Sequence, residues 1–158
     1  MSSANKNLSE FQTNELPEIQ DKKFAILVSE WNEEVTNALY TGAYETLLKY
    51  GAQEKNIISQ TVPGSFELTL GAQKMAQKPE VDAVICLGCV IQGETRHFDF
   101  ICQAVAQGIT EVSMKYNKPV IFGVLTPNTQ EQAMDRAGGK HGNKGDEAAI
   151  TAIKMLAF

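Results

Sequence analysis

Apolar residues gather in short runs at FAILVS (24–29), NIISQTV (56–62), VDAVICLGCVI (81–91) and PVIFGVLT (119–126). A strand that alternates apolar and polar residues has one wet face, whereas a run apolar on both faces has none. These runs predict strands of a parallel sheet covered on both sides. Between them the spacing changes. Val35, Leu39, Ala43 and Leu47 recur every fourth residue and predict a helix over 33–50, with Gly51 just past its end as a stop. A shorter helix is predicted over 66–78. Ile101, Val105, Ile109 and Val112 form a stripe that predicts another over 98–117. Two more are predicted over 129–137 and 146–157, separated by the loop GGKHGNKG.

Strand and helix alternate four times, which implies an α/β domain with a parallel sheet and right-handed crossovers. In such sheets ligands bind outside the carboxyl ends of the strands. Four stretches are therefore expected to converge on one rim: Glu30-Trp31-Asn32, Pro63 to Glu67, Gln92 to His97, and Phe122 to Thr126.

Length and composition narrow the partners. A chain of 158 residues suits one domain with a real core. Residues 1–23 have no apolar signal core and read as a polar N-terminal extension before a domain spanning 24–158. The formal charge is -5 and no basic run occurs, which argues against nucleic acid. No apolar stretch approaches the roughly 20 residues of a membrane helix. Three cysteines, an odd number, fit a cytoplasmic protein. Cys86 and Cys89 form a C-x-x-C inside a predicted strand. Positions three apart on a strand point to opposite faces, so they neither share a metal nor close a disulfide easily.

Each candidate for chemistry also has a plainer account. His97 follows a buried strand beside Gly93, Glu94 and Thr95; it is either a satisfied polar residue at a helix start or a working group. Trp31 either folds onto its own helix or stacks on a flat heterocycle. Phe122 also suits the core. Ser65, Phe66 and Glu67 open a helix, where capping alone accounts for them. Gly93 permits close backbone approach, and helix N-terminal amides bind phosphate. Neither G-x-x-x-x-G-K-[ST] nor G-x-G-x-x-G occurs, which disfavours nucleotide triphosphates and dinucleotides. Arg136 closes a helix, a site that favours a cation, and with Lys140 and Lys144 forms a positive cluster in an acidic chain. His141 reads as a surface residue.

The segments VPGSFE, LGCVIQGETRHFD, PVIFGVLT and RAGGKHGNKG, in this order, closely resemble the 6,7-dimethyl-8-ribityllumazine synthase family over residues 24–157. The resemblance implies a flavodoxin-like, three-layer α/β/α sandwich around a four-stranded parallel sheet. It implies an enzyme that condenses 5-amino-6-(D-ribitylamino)uracil with 3,4-dihydroxy-2-butanone 4-phosphate, late in riboflavin synthesis, with no metal or organic cofactor. By position, Trp31 would stack on the pyrimidine. Ser65, Phe66 and Glu67 would line the ring and ribityl pocket, and Cys89, Val90 and Ile91 would offer backbone groups to the pyrimidine edge. Glu94 and Thr95 would seat the phosphate substrate, with Arg136 as its cation. His97 would transfer protons, Phe122 would close over the ring, and Lys144 would assist there. Trp31 stands where many members carry phenylalanine, and Cys89 where relatives often carry threonine.

The family's pocket lies between neighbouring subunits of a homopentamer, and short forms of the GGKHGNKG loop accompany sixty-subunit shells. Rival readings are a non-catalytic flavin- or lumazine-binding module, a purely structural shell protein, and an archaeal-type riboflavin synthase.

Overall fold

A computed structural model describes residues 7–11 and 16–158. The four apolar runs become β1 (Phe24–Ser29), β2 (Ile57–Val62), β3 (Ala83–Cys89) and β4 (Val120–Leu125). All pair in parallel, in the order β2-β1-β3-β4. The two central strands are buried at every residue, as continuous apolar runs require. The polar half of the second run, SQTV, lies in edge strand β2, which is largely exposed.

The helices are α1 (Glu33–Lys49), α2 (Leu68–Ala76), α3 (His97–Tyr116), α4 (Gln130–Met134) and α5 (Lys144–Met155). Alternation along the strands sorts the core into two layers. Phe24, Ile26, Ile85 and Leu87 pack with Leu39, Leu47, Ile150 and Ile153 of α1 and α5. Leu27, Val84 and Cys86 pack on the opposite face with Ala72 of α2 and Val105 and Ile109 of α3. The result is the expected three-layer α/β/α sandwich. Gly51 ends α1 at φ 102: Ala52 N–H donates to Leu47 O and Gly51 N–H to Leu48 O, both at 3.0 Å.

Several boundaries differ from the sequence expectation. The helix expected over 66–78 starts at Leu68, because the chain first turns tightly, with Glu67 N–H donating to Gly64 O and Leu68 N–H to Ser65 O. The helix expected over 129–137 ends at Met134. Beyond it, GGKHGNKG is a hairpin rather than an open loop, with β5 (Ala137–Gly139) paired antiparallel to β6 (Gly142–Asn143). The last helix starts two residues early because Asn143 caps it: its Oδ1 accepts from Gly145 N–H at 2.8 Å. The same side chain donates through Nδ2 to Ala38 O of α1 at 2.9 Å. His141 is half-buried, its carbonyl accepting from Leu8 N–H. Ile19 lies in the core and Phe11 and Leu16 pack against it, so parts of the expected extension rest on the domain. Residues 1–6 and 12–15 of that extension lie outside the described residues.

At Gly145, α1 and α5 touch backbone to backbone. A Cβ there would stand 2.8 Å from the Leu39 carbonyl carbon and 3.0 Å from the Ala43 nitrogen. Overpacking a rigid contact costs about 1–3 kcal/mol. Gly145→Ala is therefore expected to lower the unfolding free energy, read from urea denaturation, by that much. Gly93→Ala, where nothing lies within 4 Å of the added carbon, should leave it unchanged.

Candidate active site

The strand order reverses between β1 and β3: the chain leaves β1 for β2 on one side and returns to β3 on the other. Loops that diverge at such a switch point open a crevice. Here the crevice is a cleft of about 700 Å³ lined by Trp31 and Asn32 after β1, Gly64 to Glu67 after β2, Cys89 to Ile91 after β3, and His97 and Ile101 of α3.

Small side chains shape its floor. Gly88 carries no Cβ because one would stand 2.6 Å from Ser65 Oγ and 3.0 Å from Leu68 Cδ1. That space lets the loop after β2 settle onto β3, where Ser65 Oγ meets Ser29 Oγ at 3.5 Å, both residues buried. A Cβ on Gly64 would stand 3.0 Å from Glu67 Oε2 and 3.4 Å from Trp31 Cδ1, so the carboxylate and the indole converge on this glycine. Trp31 is 73% exposed and Phe66 54%. Trp31 therefore stands open to the cleft instead of folding onto α1.

Asn32, expected only as part of the rim stretch after β1, ties the two central strands together at this end. Its backbone is left-handed, with φ 60, and its Nδ2 donates to Cys89 O at 2.8 Å. Asparagine tolerates that conformation better than most residues, the one local signal that could have found it. Ile101, the first residue of the α3 stripe, adds an apolar wall that the helical spacing assigned only to the core.

His97 is exposed at the first position of α3, and its backbone N–H donates to Thr95 Oγ1 at 3.4 Å. Glu94 and Thr95 sit exposed on the loop before it, beside the cleft rather than in its lining. The α3 N-terminus supplies partial positive charge at that loop.

The fourth stretch does not join the rim. Val90 N–H donates to Leu125 O and Gln92 N–H to Pro127 O, so the tail of β3 runs on along β4 and walls it off. Phe122 is half-buried and packs against the layer of α2 and α3. Arg136 is half-buried past the end of α4, its Nη1 donating to Gln132 O at 3.1 Å. Lys144 pairs with Glu147 Oε1 at 2.8 Å. None of the three lines the cleft of its own chain.

Cys86 and Cys89 belong to opposite core layers, as their spacing on a strand requires, and both are free. Burial pushes the Cys89 thiol up to about 12, with Cys102 adding to the shift, and burial alone does the same for Cys86. Burial, then the Asp99 charge, also raises the Cys102 thiol. Among the described residues no cluster of three or more His, Cys, Asp or Glu side chains is placed to hold a metal. Nor, among those residues, is any helix long and apolar enough to cross a membrane.

The thiolate is the reactive form, so these cysteines should be poor nucleophiles at neutral pH. Alkylation of Cys86 and Cys89 by iodoacetamide, followed by peptide mass spectrometry, is expected to stay far slower at pH 7–8 than for free cysteine. Rapid labelling of Cys89 at pH 7 would contradict its burial.

Residues 21–158 match the family model described as 6,7-dimethyl-8-ribityllumazine synthase. A protein of that name from Cytophaga hutchinsonii is 69% identical over 157 residues, 99% of this chain and 98% of the relative. One from Parabacteroides distasonis is 52% identical over 158 residues, covering 100% and 99% of the two chains. A third, from Phocaeicola vulgatus, is 53% identical over 158 residues, covering 100% and 94%. With the switch-point cleft and its histidine, these matches show that the chain belongs to the 6,7-dimethyl-8-ribityllumazine synthase family of enzymes.

Proposed function

We propose that this chain condenses 5-amino-6-(D-ribitylamino)uracil with 3,4-dihydroxy-2-butanone 4-phosphate to 6,7-dimethyl-8-ribityllumazine, releasing phosphate and water, in the penultimate step of riboflavin biosynthesis. The observation that carries this reading is the gathering of two exposed rings, a carboxylate and a histidine in one cleft at the switch point. Trp31 and Phe66 offer apolar faces to the flat pyrimidine. Ser65 and Glu67 offer polar atoms to ring N–H groups and ribityl hydroxyls. Cys89 O is taken by Asn32 and Val90 N–H by Leu125, which leaves Val90 O and Ile91 N–H for the pyrimidine edge.

The substrates bring their own nucleophile and electrophile, so the enzyme's work is positioning and proton transfer. The uracil amine adds to the ketone, and the carbinolamine loses water to form an imine. Phosphate departs, and the second amine closes the ring with loss of water. His97 delivers and collects the protons these steps exchange. Glu94 and Thr95 seat the phosphate beside it at the N-terminus of α3. A non-catalytic binding module or shell would leave His97 and this seat without work. Three free cysteines suit the reducing cytoplasm.

Among the described residues no lysine or arginine lines the cleft, and a phosphate is held best by a planar cation. In this reading Arg136, Lys144 and Phe122 come from a neighbouring copy, and the active form is a ring of five. The exposed Phe66, Leu70, Phe100 and Met114 of the α2–α3 side give a neighbour an apolar surface to cover. The short connection at the β5–β6 hairpin suits a sixty-subunit shell built from such rings.

His97→Ala is expected to lower kcat by about 100-fold, near the lower end for loss of general acid–base catalysis, because positioning survives. Lumazine fluorescence measures it, and an unchanged rate and pH profile would remove His97 from the mechanism. A second measurement tests the shared site. His97→Ala and Arg136→Ala chains, each weak alone, are unfolded, mixed and refolded together. Activity is expected to return, since some interfaces then hold both intact residues; no recovery would mean that both serve from one chain.

A further inference from the structure

Residues 7–11 lie against the β5–β6 hairpin. Leu8 N–H donates to His141 O at 2.7 Å, and Asn143 N–H donates to Ser9 Oγ at 3.0 Å. A local turn presents both groups: Ser9 N–H donates to Asn7 Oδ1 at 2.9 Å and Glu10 N–H to Asn7 O at 3.2 Å. The hairpin is shaped to receive them. A Cβ on Gly142 would stand 2.8 Å from the backbone nitrogens of both Leu8 and Ser9. Its φ of 79 is also one that few other residues adopt.

The hairpin is the chain between Arg136 and Lys144, and Lys144 N–H donates to Arg136 O across its base at 2.8 Å. Two-stranded hairpins are marginal by themselves, and glycines at 138, 139 and 142 add to the freedom that must be removed. His141 N–H donates to Asp135 O at 2.9 Å, Asn143 Nδ2 to Ala38 O at 2.9 Å, and Lys140 pairs with Asp135 at 2.7 Å; the segment 7–11 adds two further bonds on the hairpin's other side. Arg136 donates one guanidinium bond to Gln132 O, and the direction of the rest follows the backbone at the hairpin base.

We infer that Leu8 and Ser9 are positioning residues for phosphate binding: they strap the hairpin so that Arg136 and Lys144 are presented in one fixed geometry to the phosphate of the butanone substrate. The inference rests on the reading of Arg136 as the phosphate ligand. Neither Leu8 nor Ser9 touches substrate. Their effect passes through the His141 carbonyl and the Asn143 amide.

Ser9→Ala removes the acceptor for Asn143, and Leu8→Pro removes the donor to His141. Each is expected to raise KM for the butanone phosphate about fivefold, the usual worth of one hydrogen bond, with kcat and KM for the ribitylaminouracil unchanged. Ser9→Thr keeps the hydroxyl and should restore the original KM. Arg136→Ala serves as reference and should raise the same KM further. If Arg136→Ala raises it while both strap variants leave it unmoved, the strap plays no part in binding and the inference is overturned, though the phosphate reading stands. If Arg136→Ala also leaves it unmoved, both fall. Lower thermal stability and lower kcat with both KM values unchanged would overturn the inference too, because a merely structural strap behaves that way.

Discussion

Complete burial of β1 and β3 is the constraint on which the rest depends. Two adjacent strands with no wet face need helices on both sides, and the helices must divide between the layers. The chain satisfies this by leaving β1 toward one edge and returning past it to β3. The loops after β1 and β2 therefore part from the loop after β3, and the gap between them is the cleft. Asn32 bridges that gap at its base through the Cys89 carbonyl, so the two sides of the cleft keep a fixed separation.

The cleft divides its tasks by location. The exposed rings and polar groups of the cleft come from loops at the carboxyl ends of the strands. His97, the residue proposed to transfer protons, opens α3 and so sits where the helix favours negative charge. The cysteines beneath are neutral by burial and add packing without competing for the ketone.

The chain's positive cluster lies away from its own cleft. Arg136 and Lys144 flank the β5–β6 hairpin, whose position follows from three attachments: the α1–α5 contact at Gly145, the Asn143 cap that reaches Ala38, and the strap at residues 7–11. Neither cation lines the cleft of its own chain, which is why the proposed function brings them from a neighbouring copy.

Much of the fold is legible in the sequence because periodicity reports burial directly. Four apolar runs and helical stripes are local facts, and Leu39, Leu47, Ile85 and Ile109 are core residues wherever the elements end up. The motifs around His97 and Ser65–Glu67 also named most of the cleft, since the carboxyl end of a parallel strand is a functional place in any such sheet. What local pattern could not supply was distance between segments. GGKHGNKG carries glycines that suit either an open loop or a hairpin; its pairing is decided by α1 beneath it and residues 7–11 beside it. Phe122 reads the same whether it lines a rim or packs in a layer, and only its place beside Cys86 in mid-β4, packed against the α2–α3 layer, keeps it out of its own cleft. The role of Asn32 depends on a partner, Cys89, that is remote in sequence. Tertiary structure decided these points because each is a contact between elements, and a contact of that kind has no period in the chain that makes it.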